Sequence, residues 1–315
     1  MPQTRKANRT RAARLQLSRL STEQANPASR NLDLKSSIEI ARIINAEDAK
    51  VARAVERALP QIASAIDLIA ASLQRGGRLI YVGAGTSGRI AALDAVECPP
   101  TFNCPPRMVQ FVMAGGSRAL SSAVEANEDS RAAGRREIAR KKPGKHDVVV
   151  GIAASGRTPF TVAAIQYARS HGAATIAVCC NRNSPLEKAA HQAIVVVVGP
   201  EVIAGSSRMK AGTAQKMVLN MLSSGAMTRL GYVFGHFMVN VHLKNQKLVA
   251  RGLTVLQHTA HVDRPTALRA VKAANYRVPV ALVMLQAGVK RRQAEQALKA
   301  SFGNVRRAIA ATRSL

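Results

Sequence analysis

Apolar positions along the chain follow two alternating patterns. Five short, largely uninterrupted apolar runs occur at residues 79–82, 108–113, 147–152, 175–179 and 194–198, the length and composition of buried strands. Helical patterns lie between most of them, including one starting at Arg89 and others at 160–171 and 185–192. Upstream, residues 34–74 read as helix with a break expected near Asn45-Ala46, and Ile62, Ile66, Ile69 and Leu73 recur every three to four positions as an apolar stripe. Strands that are apolar throughout, alternating with helices, predict an α/β fold: a doubly wound parallel five-stranded sheet flanked by helices and joined by right-handed crossovers. Ligands are expected at the carboxyl ends of such strands, where the strand order reverses.

Beyond the strands, residues 213–230 form a long apolar helix with little charge, suited to burial against the sheet or at a subunit contact. After about Gly252 the pattern shortens to helices at 264–275, 279–286, 290–300 and 303–311. The predicted division is therefore a basic, disordered tail at 1–20, a sheet domain with its N-terminal helices at 21–251, and a small C-terminal domain of three or four helices at 252–315.

Composition alters this picture in one respect. The 315 residues include 46 Lys and Arg against 18 Asp and Glu, a formal net charge of +28. Such a balance suggests a nucleic-acid partner. Two features argue against making that partner primary. Aromatic residues are only 3% of the chain, which leaves few stacking platforms. Much of the excess also sits at the ends: residues 1–20 carry six Lys or Arg and no acid, and 244–315 carry fourteen against Asp263 and Glu295. A basic surface equally steers small anionic substrates. No apolar run reaches the ~20 residues of a membrane helix, and no apolar leader opens the chain. Cys98, Cys104, Cys179 and Cys180 form no CxxC pair, so reduced thiols in a cytoplasmic protein are expected rather than a zinc site.

Three polar turns carry candidate chemistry. The first strand runs into Gly83-Ala84-Gly85-Thr86-Ser87-Gly88 and then a helix. There glycines admit a close anion, hydroxyls donate, and N–H groups of the helix start point at it. Ala153-Ala154-Ser155-Gly156-Arg157-Thr158-Pro159 repeats the arrangement after the third strand, with Arg157 able to add a charge-assisted contact. Gly205-Ser206-Ser207-Arg208-Met209-Lys210 opens the long helix and is richer than a simple cap requires. Gly85, Thr86, Ser87, Ser155, Arg157, Thr158, Ser206, Ser207 and Lys210 are thus the candidate contacts to the phosphate of a small phosphorylated metabolite. Among the carboxylates, Asp94 and Glu97 lie on the helix after the first turn, and Glu125, Glu128 and Asp129 cluster further on.

GAGTSGR followed by DAVECPPT, then AASGRTP, then GSSRMKAGTAQKMVLNMLS resembles the N-acetylmuramic acid 6-phosphate etherase family, whose core is the sugar-isomerase (SIS) phosphosugar fold. The likeness is close over residues 21–251 and looser through the helical tail. It implies cleavage of the lactyl ether of N-acetylmuramate 6-phosphate to N-acetylglucosamine 6-phosphate and D-lactate, in cell-wall amino-sugar catabolism. It implies no metal and no organic cofactor, and a homodimer with sites near its interface. It also implies that Glu97 and Glu128 are the acid/base pair. The chemistry of ether cleavage suits Glu97 as an acid raised by burial and Glu128 serving water or the C2 proton, and either assignment of the two roles fits. The competing reading is a non-catalytic phosphosugar sensor of the glucokinase-regulatory type, which needs the turns but no carboxylate pair. One distance is unusual: Ser87 and Glu97 are ten residues apart, about 15 Å along a continuous helix, further than a sugar's phosphate lies from its C3. Either the helix breaks early, or the groups serve different sites across a dimer.

Overall fold

Pro60 decides where the first helical stretch divides. In the computed structural model, which describes residues 20–122, 127–241, 243 and 245–313, α1 spans Ser37–Glu56 and α2 spans Leu59–Gln74. The break expected near Asn45-Ala46 is absent. Asn45 is exposed mid-helix and costs only about half a kcal/mol there, whereas Pro60 lacks an amide hydrogen and is accommodated only in a new first turn. The basic segment expected at 1–20 lies outside the described residues, save Leu20.

The sheet follows: β1 (Leu79–Gly83), α3 (Gly85–Phe102), β2 (Val109–Met113), α4 (Arg118–Ser121), α5 (Arg131–Ala139), β3 (Val148–Ile152), α6 (Pro159–Ser170), β4 (Ala174–Cys179), α7 (Pro185–Ala189), β5 (Gln192–Val195) and α8 (Lys210–Leu230). All five strands are parallel, in the order β2-β1-β3-β4-β5. Leu79 pairs with Val109 on one side and Val148 on the other. Alternation along β1 sends Leu79 and Tyr81 into one apolar cluster and Ile80 and Val82 into another. The first cluster packs α1, α2, α3 and α8 on one face of the sheet; the second packs α5, α6 and α7 on the other. The fold is the expected doubly wound sheet, and its order reverses between β1 and β3, the strands that feed the first two polar turns.

Boundaries differ from expectation where polar turn residues turn out to be helical. α3 starts at Gly85 rather than Arg89, and α8 at Lys210 rather than 213. β5 is Gln192–Val195 rather than 194–198; Val196, just past it, is buried and still donates its amide to the Cys179 carbonyl at 2.9 Å, and Val198 is buried beyond the strand. All four cysteines are buried and unpaired.

A hairpin of β6 (Val233–Phe234) and β7 (Phe237–Met238) leads to α9 (Gln246–Ala260), α10 (Arg264–Ala273), α11 (Val278–Ala287), α12 (Arg291–Ala300) and α13 (Val305–Arg313). A third apolar cluster runs from Val239 to Ile309 through these elements. The expected boundary at 251/252 falls inside α9; four whole helices, α10 to α13, lie beyond it, and α9 joins them from before it. Asn245 is the reason: its side chain accepts the Leu248 amide at 2.9 Å and starts a helix whose Leu253, Val255 and Leu256 belong to the third cluster. No helix among the described residues is long and apolar enough to cross a membrane.

Candidate functional site

The first turn closes tightly on the sheet. At Gly88 an added Cβ would lie 2.7 Å from the Met113 side chain and 3.0 Å from the Gly83 carbonyl oxygen. The first turn of α3 therefore sits directly on the ends of β1 and β2, an approach only glycine permits. Gly85 is exposed, Thr86 half-buried and Ser87 buried. No side chain caps α3, so its opening amides have no side-chain partner among the described residues.

The second turn holds Glu128. Gly156 adopts φ +68°, and a Cβ there would fall 2.3 Å from the Ser184 hydroxyl. Ser155 Oγ accepts the Arg157 amide at 3.1 Å. Thr158 donates its hydroxyl to Glu128 Oε1 at 3.0 Å, and the Phe160 amide donates to the Glu128 carbonyl at 3.0 Å. Glu128 is thus tied by side chain and backbone to the start of α6. Arg157 Nε is enclosed with no hydrogen-bond acceptor among the described residues, a donor available to an anion. Glu125, the other glutamate of that cluster, lies outside the described residues.

The third turn is engaged differently from expectation. Glu201, fully buried, accepts the amides of Lys210 and Ala211 at 2.9 Å each and caps α8. The Lys210 ammonium lies 2.5 Å from Glu47 Oε2, with the two side chains 2% and 4% exposed. Burial by itself pushes the Glu47 carboxyl up, but hydrogen bonds from Lys210, Lys50 and Asn26 outweigh it and hold it at about 2. Lys210, expected to meet the ligand, spends its charge inside the protein. The hydroxyls of Ser206 and Ser207 are half-buried and make no hydrogen bond among the described residues.

An arrangement the sequence did not reveal joins the second and third turns. Ser21 donates its amide (3.0 Å) and hydroxyl (2.9 Å) to Asn181 Oδ1, and Asn181 Nδ2 donates to Thr22 Oγ1 and to the Ala154 carbonyl, each at 3.2 Å. Asn26 Nδ2 donates to Glu47 Oε2 at 2.9 Å and to the Pro200 carbonyl at 3.0 Å. Residues 20–26 therefore strap across the carboxyl end of the sheet. Asn26-Pro27 signals a local turn, but no sequence pattern pairs Ser21 with a residue 160 positions away.

The two carboxylates of α3, three residues apart, differ in burial. Asp94 is buried, accepting from Tyr81 (2.8 Å), Asn220 (2.7 Å) and Ser223 (3.0 Å). Burial raises its carboxyl in spite of these bonds. It anchors α3 between β1 and α8. Glu97 is exposed, so this chain alone does not supply the burial expected of it. The reason is position: Leu93, Val96, Glu97 and Pro100 recur on one outward stripe, with Leu93 50% and Val96 55% exposed. α3 runs unbroken from Gly85 past Glu97. The early break is excluded, and Ser87 and Glu97 of one chain stay about 15 Å apart.

Residues 61–169 match the glucokinase regulatory protein N-terminal SIS domain, and residues 143–224 match the SIS domain. An N-acetylmuramic acid 6-phosphate etherase from Edwardsiella ictaluri is 48% identical over 295 residues, covering 94% of this chain and 98% of that one. The chain belongs to the N-acetylmuramic acid 6-phosphate etherase family. A second etherase, from Photorhabdus laumondii, is 46% identical over 95% of this chain and 100% of its own length, so the etherase likeness spans the sheet and the C-terminal helices alike. Among solved structures, a phosphoheptose isomerase from Francisella tularensis superposes with a TM-score of 0.48 at 19% identity, covering 62% of this chain and 100% of that one.

Proposed function

We propose that the protein is a carbon–oxygen lyase that cleaves the D-lactyl ether of N-acetylmuramic acid 6-phosphate, releasing N-acetylglucosamine 6-phosphate and D-lactate in cell-wall amino-sugar catabolism. The observation that carries the reading is the bond between Thr158 and Glu128: it joins a candidate acid/base carboxylate to a phosphate-type turn at the strand-order reversal. The Gly85-Thr86-Ser87 amides and hydroxyls, together with Ser155, Arg157, Ser206 and Ser207, hold the phosphate. With the sugar opened to its aldehyde, the C2 proton is acidic. Glu128 takes that proton as the C3–O bond breaks, and Glu97 protonates the departing lactate oxygen. Water then adds its hydroxyl to C3 while giving its proton to Glu97, and Glu128 returns its proton to C2, so both glutamates regain their starting states. Each acid/base step contributes roughly 10²–10⁴-fold.

The reading includes a homodimer in the cytoplasm. Glu97 and the Ser87 turn of one chain are too far apart for one sugar, and the stripe of Leu93, Val96 and Pro100 beside Glu97 is apolar and uncovered. A second copy seated on that stripe buries Glu97 and brings it to the partner's phosphate turns. The C-terminal helices form a separate folding unit behind the sheet domain. A phosphosugar sensor is a second reading, favoured by the glucokinase regulatory match over residues 61–169; sensing has no use for Glu97 and Glu128 as a pair. D-lactate release from N-acetylmuramic acid 6-phosphate by the purified protein and by Glu97→Gln tests the proposal. Lactate from the native protein, and from the variant phosphosugar binding without lactate, is the expected result. Binding without lactate from both proteins would select the sensor.

A further inference from the structure

A cleft of about 550 Å³ lies where the sheet domain meets the C-terminal helices. Asp67 and Arg229 line one wall, from α2 and the last turn of α8; Asn304, Arg306 and Arg307, at the start of α13, line the other. α8 carries the third polar turn at its opposite end, and its 21 residues span about 30 Å. The cleft is therefore separate from the phosphosugar turns.

Its charge is one-sided. The charged lining is three arginines against one carboxylate. Asp67 is already engaged by Arg229, at 3.2 Å. The Arg306 guanidinium stacks over the Phe234 ring, 4.5 Å from its centroid. Stacking uses the face of the guanidinium and leaves its N–H edge available, so the fork is oriented before any ligand arrives. The Arg307 guanidinium has no hydrogen bond or ion pair among the described residues. The wall behind these groups is held in place. Asn304 caps α13 through the Arg307 amide at 3.0 Å, and it packs so closely on Gly231 that a Cβ there would lie 2.6 Å from its amide carbon.

We propose that this cleft binds a small, multiply charged oxyanion, bridging Arg229 on the sheet domain to Arg306 and Arg307 on the C-terminal helices. Paired planar donors suit phosphate and carboxylate oxygens alike. Such a ligand ties the two units together without touching Glu97, Glu128 or the phosphate turns.

Calorimetric titration of the full chain with inorganic pyrophosphate and, separately, with citrate tests this. The comparison uses the native protein, Arg306→Gln/Arg307→Gln, and Ser87→Ala/Ser155→Ala as a control at the phosphosugar turns. The expected result is a binding event that survives Ser87→Ala/Ser155→Ala and weakens at least tenfold in Arg306→Gln/Arg307→Gln. The arginine variant keeps its lactate release at saturating substrate. The stronger of the two probes identifies the ligand as phosphate-type or carboxylate-type. Arg306→Lys, which keeps the charge but loses the fork, weakens binding less than Arg306→Gln, and it carries the test if the double variant fails to fold. No binding of either probe, binding unchanged by the arginine substitutions, or binding lost with Ser87→Ala/Ser155→Ala would overturn the proposal.

Discussion

Glu128 and Glu97 stand in opposite surroundings. Glu128 is fixed within one chain, its carboxylate held by Thr158 and its backbone by Phe160. Glu97 sits on an outward apolar stripe of α3, with Asp94, three residues earlier, buried behind it. One carboxylate is positioned by the fold of its own chain, and the other is supplied at a surface. One half of the candidate site is thus assembled within the chain, and the other half lies on an uncovered surface, where we propose that a second copy sits.

The sharpest way to break this comparison is to split it between subunits. Glu97→Gln and Glu128→Gln should each be inactive alone. Mixed after dissociation and reassociation, they should regain about a quarter of native lactate release: half of the dimers are mixed, and each mixed dimer has one intact site under two-fold symmetry. No recovery in demonstrably mixed dimers would place both glutamates in one chain's site. Leu93→Asp, on the same stripe, should yield a monomer by sedimentation and lower kcat by at least 10²-fold, the scale of one acid/base contribution.

The buried pair under the third turn gives the next effect. Glu47→Gln leaves the Lys210 charge unpaired in a site 2% exposed, at a cost of about 3–5 kcal/mol in urea unfolding. Because the Glu47 carboxyl is held at about 2, below its ordinary value of 4.5, its contribution is present in full above that ordinary value. It is lost as pH falls from about 4.5 through about 2. The native protein should therefore lose stability on acidification through that window, and Glu47→Gln should lose less. Equal acid sensitivity in the two would remove Glu47 from the account. The smallest effect belongs to the group that aims Glu128. Thr158→Val removes one hydrogen bond to a carboxylate, worth about 1.5–3 kcal/mol. kcat should fall about tenfold or more with KM near the native value; a rise in KM alone would make Thr158 a binding group instead.

How legible the site was varies by residue. The turns at 83–88 and 153–159 were readable because glycine, hydroxyl and proline positions reflect local backbone needs that neighbours in sequence satisfy. The sheet was readable because strands buried on both faces are apolar throughout. Lys210 misled because a lysine beside serines looks like an anion contact, and only the fold brings Glu47 to it across 163 positions. Asn26 and Asn181 were silent for the same reason. Pro60 displaced the break from Asn45 because a missing amide outweighs a modest propensity.

The sequence by itself determined the parallel α/β architecture and the two glycine/hydroxyl turns, which follow from periodicity and local turn chemistry, properties of neighbouring residues. The candidate pair of glutamates came from the family resemblance, not from any local pattern. Tertiary structure alone decided which carboxylate is buried, where the Lys210 charge goes, that residues 20–26 strap two turns together, and that α3 keeps Glu97 about 15 Å from the turn at 83–88 of the same chain. Burial and hydrogen-bond partnership are set by residues far apart along the chain, and no local pattern encodes them.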